Sequence, residues 1–106
     1  MNKHKTARFA VGMLVKHRLF DYRGVVYDVD AVFEGSDEWY ANMARTRPPK
    51  DQPWYRVLVH AQTHETYVAE RNLEQDESGA VVQHPNIDRY FDAFEKGSYR
   101  RNLSRN

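Results

Sequence analysis

The sequence predicts a mainly β domain, in which five short strands form a small open barrel or a strongly bent sheet with little helix. Apolar and polar residues alternate from Val11 to Phe33 and again from Trp54 to Ala61, the period of a strand with one buried face. Asp21 and Gly24 interrupt the first run at the length of a hairpin connection. Five strands on 106 residues fit a barrel or a bent sheet.

The first half of the chain begins with this hairpin, whose strands we place at 11–17 and 25–33. Asp28 and Asp30 share the polar face of the second strand, where Lys16 or Arg18 could pair with them across the hairpin. A long connection, 34–53, follows. Within it, Ser36 is predicted to cap a short helix with one apolar stripe, formed by Trp39, Tyr40 and Met43.

The second half begins with a third strand at 54–61 and a fourth at 66–69. A short fifth strand is expected around Val81 and Val82. After Pro85 the period changes to that of a helix, and the residues on its apolar face are Ile87, Tyr90, Phe91 and Phe94. The chain therefore divides into a basic arm (1–8), a β domain (9–85), a C-terminal helix (86–97) and a basic tail (98–106) expected to be mobile.

Charge is distributed unevenly along the chain. Residues 1–8 and 96–106 hold seven basic residues and no acid, which leaves nine basic and fifteen acidic residues in 9–95, a net charge of −6. Because non-specific affinity for nucleic acid comes largely from neutralised phosphates, this body would contact a duplex only through the ends or a local patch.

Composition excludes several classes of protein. Without cysteine there is no disulfide scaffold, thiolate zinc site or cysteine nucleophile. No apolar run approaches the ~18–20 residues of a membrane span, and no apolar segment follows the basic N-terminus as in a signal peptide. We expect a cytoplasmic protein without a membrane partner.

No enzyme chemistry emerges from the motifs. The glycines are scattered singly, so there is no phosphate-binding loop, and no serine lies in a nucleophile motif. His60 and His64 flank a predicted turn, where two histidines do not readily converge on a metal. Asp28 and Asp30 are most simply solvated acids. We expect no catalytic residue, no metal and no cofactor.

Several segments together resemble the heat-shock protein Q family, also called the YccV-like or hemimethylated DNA-binding domain. The resemblance covers about residues 7 to 85. It is carried by Phe9, Gly12, Val15, His17, the hairpin segment 20–30, Pro53-Trp54-Tyr55, Val57-Leu58-Val59, the segment Thr66 to Glu70 with Asn72-Leu73, and His84-Pro85.

This resemblance implies a small SH3-like five-stranded β-barrel that acts as a non-enzymatic factor in the heat-shock response. Family members promote degradation of particular proteins, as a substrate and specificity-enhancing factor of the Lon protease. The implied partners are therefore a Lon-type ATP-dependent protease and its client proteins. The alternative implied partner is double-stranded, hemimethylated DNA. The number of aromatic residues makes a homo-oligomer plausible.

Two sets of residues follow as candidates for these partners. A protein partner needs apolar anchors and tail recognition elements, and the candidates are Phe20, Tyr22, Trp54, Tyr99, Leu103, Arg100, Arg101 and Arg105. A DNA partner needs basic residues on one local surface, and the candidates around the first hairpin are Lys16, His17, Arg18 and Arg23. We place the degradation factor ahead of the DNA binder, partly because the body is acidic.

Overall fold

The structure is a computed structural model, and it describes residues 6–101. In chain order the elements are β1 (Leu14–His17), β2 (Arg23–Asp30), α1 (Asp37–Met43), β3 (Trp54–Val59), β4 (Glu65–Ala69), a 3-10 helix (Glu70–Asn72), β5 (Leu73–Gln75), α2 (Ile87–Tyr90), β6 (Phe91–Glu95) and β7 (Ser98–Arg101). The mainly β prediction is confirmed. The cap of α1 is also confirmed, since Ser36 Oγ accepts a hydrogen bond from the Trp39 N–H at 3.0 Å.

Five antiparallel strands form the main sheet in the order β4-β3-β2-β1-β5. In a flat sheet, β4 and β5 would lie four strand spacings, roughly 19 Å, apart. The 3-10 helix between Ala69 and Leu73 allows only four Cα steps, about 14 Å when fully extended. The sheet must therefore curl, and β4 is brought towards the β1–β2 hairpin, where Tyr22 and Thr66 share a 2.9 Å hydrogen bond. Because β4 and β5 do not pair with each other, the curled sheet is open and not a closed barrel.

The curled sheet buries apolar side chains on both faces. The inner cluster consists of Phe9, Val15, Val26, Tyr55, Val57, Val68 and Leu73. The outer cluster consists of Leu14, Val25, Leu58, Val82, Phe91 and Tyr99, the last two contributed by the β6–β7 hairpin. This hairpin covers the outer face much as a second layer would.

The C-terminal helix predicted over 86–97 is wrong. Only Ile87–Tyr90 is helical, and the chain then turns back on itself as β6 and β7. Lys96 and Gly97 both have positive φ, 55° and 77°, as in the two-residue turns that suit a β-hairpin. The first four residues of the expected mobile tail, 98–101, are strand β7, and residues 102–106 lie outside the described residues.

Strand five also differs from its predicted place. The fifth strand of the sheet is β5, which pairs with β1, and not the segment around Val82. Val82 is 3% exposed, but its backbone N–H and carbonyl both bond to the hydroxyl of Tyr99, at 2.9 and 3.1 Å. The Tyr99 side chain therefore satisfies the backbone hydrogen bonds of Val82, so Val82 is buried without belonging to a strand.

Candidate functional site

A groove of about 500 Å³ lies beside β4 and is the candidate site. One wall is the tip of the β1–β2 hairpin, and the other is α1 with the loop that follows it. The floor is β4 together with side chains of β3. We call this feature the β4 groove, and its lining includes His17, Phe20, Tyr22, Trp39, Met43, Arg45, Trp54, Arg56, Glu65, Thr66 and Tyr67.

Strand β4 is an edge of the main sheet along this groove. Within residues 6–101 it pairs with β3 on one side, and no strand pairs with its other side. Backbone bonds from Val59 N–H to the His64 carbonyl and from Glu70 N–H to the Pro53 carbonyl fix which residues face β3. By the alternation of an antiparallel ladder, Thr66 and Val68 face β3, while the backbone groups of Glu65, Tyr67 and Ala69 face outward.

Tyr67 forms a rigid part of the floor. Its hydroxyl donates to Asp30 Oδ2 at 2.6 Å and accepts from the Glu34 N–H at 3.0 Å. Its ring packs edge-on against Trp39, with ring centroids 5.6 Å apart. Burial raises the pKa of the Tyr67 phenol, and the hydrogen bond to Asp30 raises it further. The groove therefore presents a neutral, fixed aromatic surface.

Arg56 neutralises the two acids predicted to lie on the face of β2. Its guanidinium pairs with Asp28 at 3.8 Å and Asp30 at 3.3 Å, and lies 4.3 Å from the centre of the Tyr67 ring. The expected pairing of these acids with Lys16 or Arg18 is wrong, because β3, not β1, carries the neighbouring cation. The reason is register: Lys16 lies opposite Arg23, at the start of β2, whereas Asp28 lies opposite Arg56.

The hairpin tip is organised by His17, whose Nδ1 accepts backbone N–H groups of Leu19 and Phe20, each at 3.0 Å. The proton of the neutral imidazole is then on Nε2. The side chain is 8% exposed, and burial lowers the pKa of His17. Phe20 stacks on the imidazole with ring centres 4.6 Å apart, yet is 54% exposed, so it stands on the groove rim as an available apolar anchor.

The DNA candidates around the hairpin do not form a free cationic patch. Lys16 and Arg18 both lie near Glu74, at 3.7 and 3.9 Å, and Arg23 pairs with Asp76 at 2.7 Å. Arg23 also donates to the backbone carbonyls of Ala80 and Val81. The fourth candidate, His17, accepts the backbone N–H groups of the hairpin turn.

The Arg23–Asp76 pair has a structural consequence for the segment after β5. Burial opposes ionisation of Asp76, but hydrogen bonds from Arg23 and Ser78 outweigh it and lower the pKa of this carboxyl. The guanidinium of Arg23 therefore holds a carboxylate and two carbonyls at once, which anchors this segment to β2.

The candidates for protein binding are scattered. Phe20 and Tyr22 line the β4 groove, and Trp54 lies beneath its floor. Trp54 is 1% exposed and Tyr99 is 8% exposed, so neither is a surface anchor. Arg100 and Arg101 lie exposed on β7, where Arg100 pairs with Asp92 at 3.1 Å. Leu103 and Arg105 lie outside the described residues.

Sequence reasoning missed the α1 wall of the groove and the β4 part of its floor. The sequence predicts Trp39 and Met43 in the apolar stripe of a short helix, but no residue of α1 is buried, and Met43 is 61% exposed. An apolar stripe on a helix too short to be covered is a signal that could have pointed to a groove. Tyr67 carried no such signal, because its edge position depends on strand order.

No three His, Asp or Glu side chains of the described part converge as a metal site would require. None of its helices has the length and apolar character needed to span a bilayer.

Residues 6–101 form an open curled sheet with an aromatic groove along one edge. Comparison with known families identifies this domain: the chain belongs to the YccV-like family, described as hemimethylated DNA-binding protein YccV like, whose family model matches residues 7–98. The match runs past residue 85 and includes the start of β7.

Curated relatives contain the same domain within much longer chains. The chain is 32% identical over 99 residues to the F-box only protein 21 of Homo sapiens, of Pongo abelii and of Mus musculus. The aligned region covers 92% of this chain but only 16% of each relative.

Proposed function

We propose that the chain is a non-enzymatic binding module of the stress response, which promotes degradation of denatured or specific proteins together with a Lon-type ATP-dependent protease. The observation that carries this proposal is the β4 groove, an open aromatic surface beside an unpaired strand edge. Such a surface suits a polypeptide partner, because apolar anchors and backbone groups are available side by side.

Electrostatics do not favour a duplex at the first hairpin. The basic residues of the first hairpin are paired with Glu74 and Asp76, so few of their charges remain for phosphates. The presence of the domain in F-box only proteins, which are about six times longer, also suits a module that binds while other parts of a protein act.

The groove is tested by measuring how fast a purified Lon-type protease degrades a permanently unfolded client with and without this protein. Phe20→Ala should reduce the stimulation severalfold, because it removes the exposed anchor. Val81→Ala is the matched control, since Val81 is 48% exposed but does not line the groove. Stimulation that is equal for both variants and the parent would reject the groove as the site of action.

The tail is tested by deletions that respect strand β7. Removing 102–106 deletes Leu103 and Arg105 but leaves the hairpin intact, whereas removing 98–106 also deletes a strand that covers the outer core. If the tail is a recognition element for the protease, removing residues 102–106 should be sufficient to slow degradation of this protein by the protease. Unchanged turnover would remove residues 102–106 from the mechanism.

Binding to hemimethylated DNA is the second candidate, and the family description favours it. The exposed cations absent from the ion pairs of residues 6–101 include Arg89, Lys96 and Arg101, and, close together after α1 and after β4, Arg45, Arg47 and Arg71. A salt titration should compare unmethylated and hemimethylated duplexes of one sequence. Tighter binding of the hemimethylated duplex that is lost in Arg45→Glu would favour DNA; a salt slope without methyl preference would reflect electrostatics alone.

A further inference from the structure

We infer that the β4 groove binds an extended segment of an unfolded protein as an added antiparallel strand, and that this segment combines alternating apolar side chains with an acidic residue near its N-terminal end. The inference deepens the proposed function by giving the chemistry of the client segment.

The backbone of β4 supplies the pairing surface. Glu65 and Tyr67 direct their N–H and carbonyl groups away from β3, and within residues 6–101 no hydrogen bond involves these groups. Ala69 faces the same way but is 2% exposed, so the accessible part of the edge is Glu65 and Tyr67. An incoming strand satisfies such groups without regard to its own sequence. Recognition through the backbone suits clients that share an unfolded state and not a motif.

The walls supply side-chain selectivity. Successive side chains of a strand point to opposite faces, so every second side chain of an added strand meets the same wall. Phe20 lies on the hairpin side of the groove, and Trp39 and Met43 lie on the α1 side. All three are apolar and at least partly exposed, so apolar client side chains would lose water on either side.

Charge sets the polarity of the bound segment. At the Ala69 end of β4, Arg71 donates to the carbonyl of Thr46 at 2.7 Å and so lies beside Arg45, a lining residue. Neither arginine belongs to an ion pair of residues 6–101. An antiparallel strand places its N-terminal end here, where a carboxylate is favoured.

The other end of the groove offers no such attraction. Among residues 6–101, Glu65 supplies the single carboxylate that lines the groove, and it accepts from the Tyr27 hydroxyl at 2.7 Å and from Asn86 Nδ2 at 3.1 Å. The groove therefore has a cationic end, where Arg45 belongs to no ion pair of residues 6–101 and Arg71 lies close by, and an anionic end whose carboxylate is already hydrogen-bonded. This asymmetry gives the bound segment one direction.

The test uses the full chain and a fluorescein-labelled peptide in which phenylalanine, valine and leucine alternate with threonine after an N-terminal aspartate. Two versions are N-methylated at alternate positions, one on each edge of the strand. Strand addition predicts that one version binds about tenfold more weakly, the loss expected for two hydrogen bonds, while the other binds like the parent peptide. Equal affinity of both versions, or equal loss in both, would overturn the inference.

Matched variants test the protein side. Glu65→Pro removes an outward N–H and the carboxylate, whereas Glu65→Ala removes the carboxylate alone. The proline variant should bind about fivefold more weakly than the alanine variant, which one lost hydrogen bond accounts for. Arg45→Glu should weaken binding of the aspartate peptide more than binding of its asparagine counterpart; equal weakening would overturn the assigned direction.

Other occupants give different results. A proline-rich peptide that competes fully with the probe would overturn strand addition, since proline cannot donate to a ladder. A dimer in sedimentation velocity that the probe dissociates would assign the edge to a second copy and overturn the inference likewise. If the probe binds with the predicted alternation but degradation of clients is unaffected by groove variants, the inference stands and the proposed function fails.

Discussion

The hydroxyl of Tyr55 donates a hydrogen bond to Glu70 Oε1 at 2.5 Å and accepts one from the backbone N–H of Phe9 at 3.2 Å. The same oxygen of Glu70 accepts the N–H of Arg8 at 2.9 Å. One phenol thus joins the centre of β3, the start of the 3-10 helix and the first described segment of the chain. Burial raises the pKa of Tyr55, and its hydrogen bond to Glu70 raises it further, so this phenol remains a donor.

Tyr55→Phe should lower the free energy of unfolding by about 1–3 kcal/mol, because it leaves the buried N–H of Phe9 without its acceptor. Urea denaturation monitored by circular dichroism measures the change. Tyr27→Phe is the control, since its hydroxyl bonds to Glu65 in an exposed setting and its loss should cost about 0.5 kcal/mol. Equal losses in the two variants would contradict this account.

Trp54 and Phe20 should separate stability from binding. Trp54→Ala removes a ring that is 1% exposed and should cost about 3–5 kcal/mol, enough to unfold much of the protein. Phe20→Ala should cost less than about 1 kcal/mol, because the ring rests on His17 and is half exposed. Thermal unfolding gives the first comparison, and client binding gives the second; a large loss of stability in Phe20→Ala would disprove the assignment of Phe20 to the rim.

The hairpin tip should make stability depend on pH near neutrality. Because the folded state lowers the pKa of His17 from 6.5, the unfolded state takes up the proton first as pH falls. The contribution of neutral His17 is therefore complete above about pH 7 and is lost as pH decreases below the unfolded pKa. His17→Asn retains an oxygen acceptor for the turn without a titrating group, so its stability between pH 5 and 7, roughly, should vary less. Parallel profiles for both proteins would contradict the prediction.

Gly12 should be required for attachment of the C-terminal hairpin. Its φ is 98°, and a Cβ there would collide with the carbonyl oxygen of Tyr99. Gly12→Ala should therefore cost more than about 2 kcal/mol and increase amide exchange at Tyr99, whose N–H bonds to the Gly12 carbonyl at 2.8 Å. Gly79→Ala is the control: its φ is also positive, at 70°, but open space surrounds it, so the cost should be about 1 kcal/mol. Equal losses of stability in the two variants would mean that the cost comes from placing alanine at a positive φ and not from the collision with the Tyr99 carbonyl.

Local chemistry in the sequence was sufficient for the first half of the fold. Asp21 marks the turn of the first hairpin, and Ser36 followed by two acids marks the start of α1. These signals act within a few residues, so no knowledge of strand order is needed to interpret them. The predicted bounds 11–17 and 25–33 are wrong by up to three residues: β1 begins at Leu14 and β2 spans Arg23–Asp30, so Gly24 lies in the strand opposite Val15 and not in the connection.

The C-terminal hairpin shows where such signals fail. The spacing of Ile87, Phe91 and Phe94 is helical, yet Phe94 lies opposite Tyr99 in a two-stranded ladder, with ring centres 4.6 Å apart. The Lys96-Gly97 turn competes with this helical spacing, because it lets the residues on either side pair as a hairpin. The hairpin forms in place of a helix because it packs into the outer cluster with Leu14 and Leu58. The β4 groove could not be predicted at all, because it forms only where the curl brings the hairpin tip opposite α1.

The position of β7 also determines the order in which the protein would unfold under a pulling force. A force on the residues after Arg101 acts at the open end of the β6–β7 hairpin, so the residue pairs of this hairpin separate one after another, beginning with Phe91 and Arg101. Once the hydrogen bonds of Tyr99 to Gly12 and Val82 break, the outer cluster becomes exposed to solvent while the inner cluster remains buried. A motor pulling from that end would meet low resistance at first, and the higher barrier only when it reaches the curled sheet.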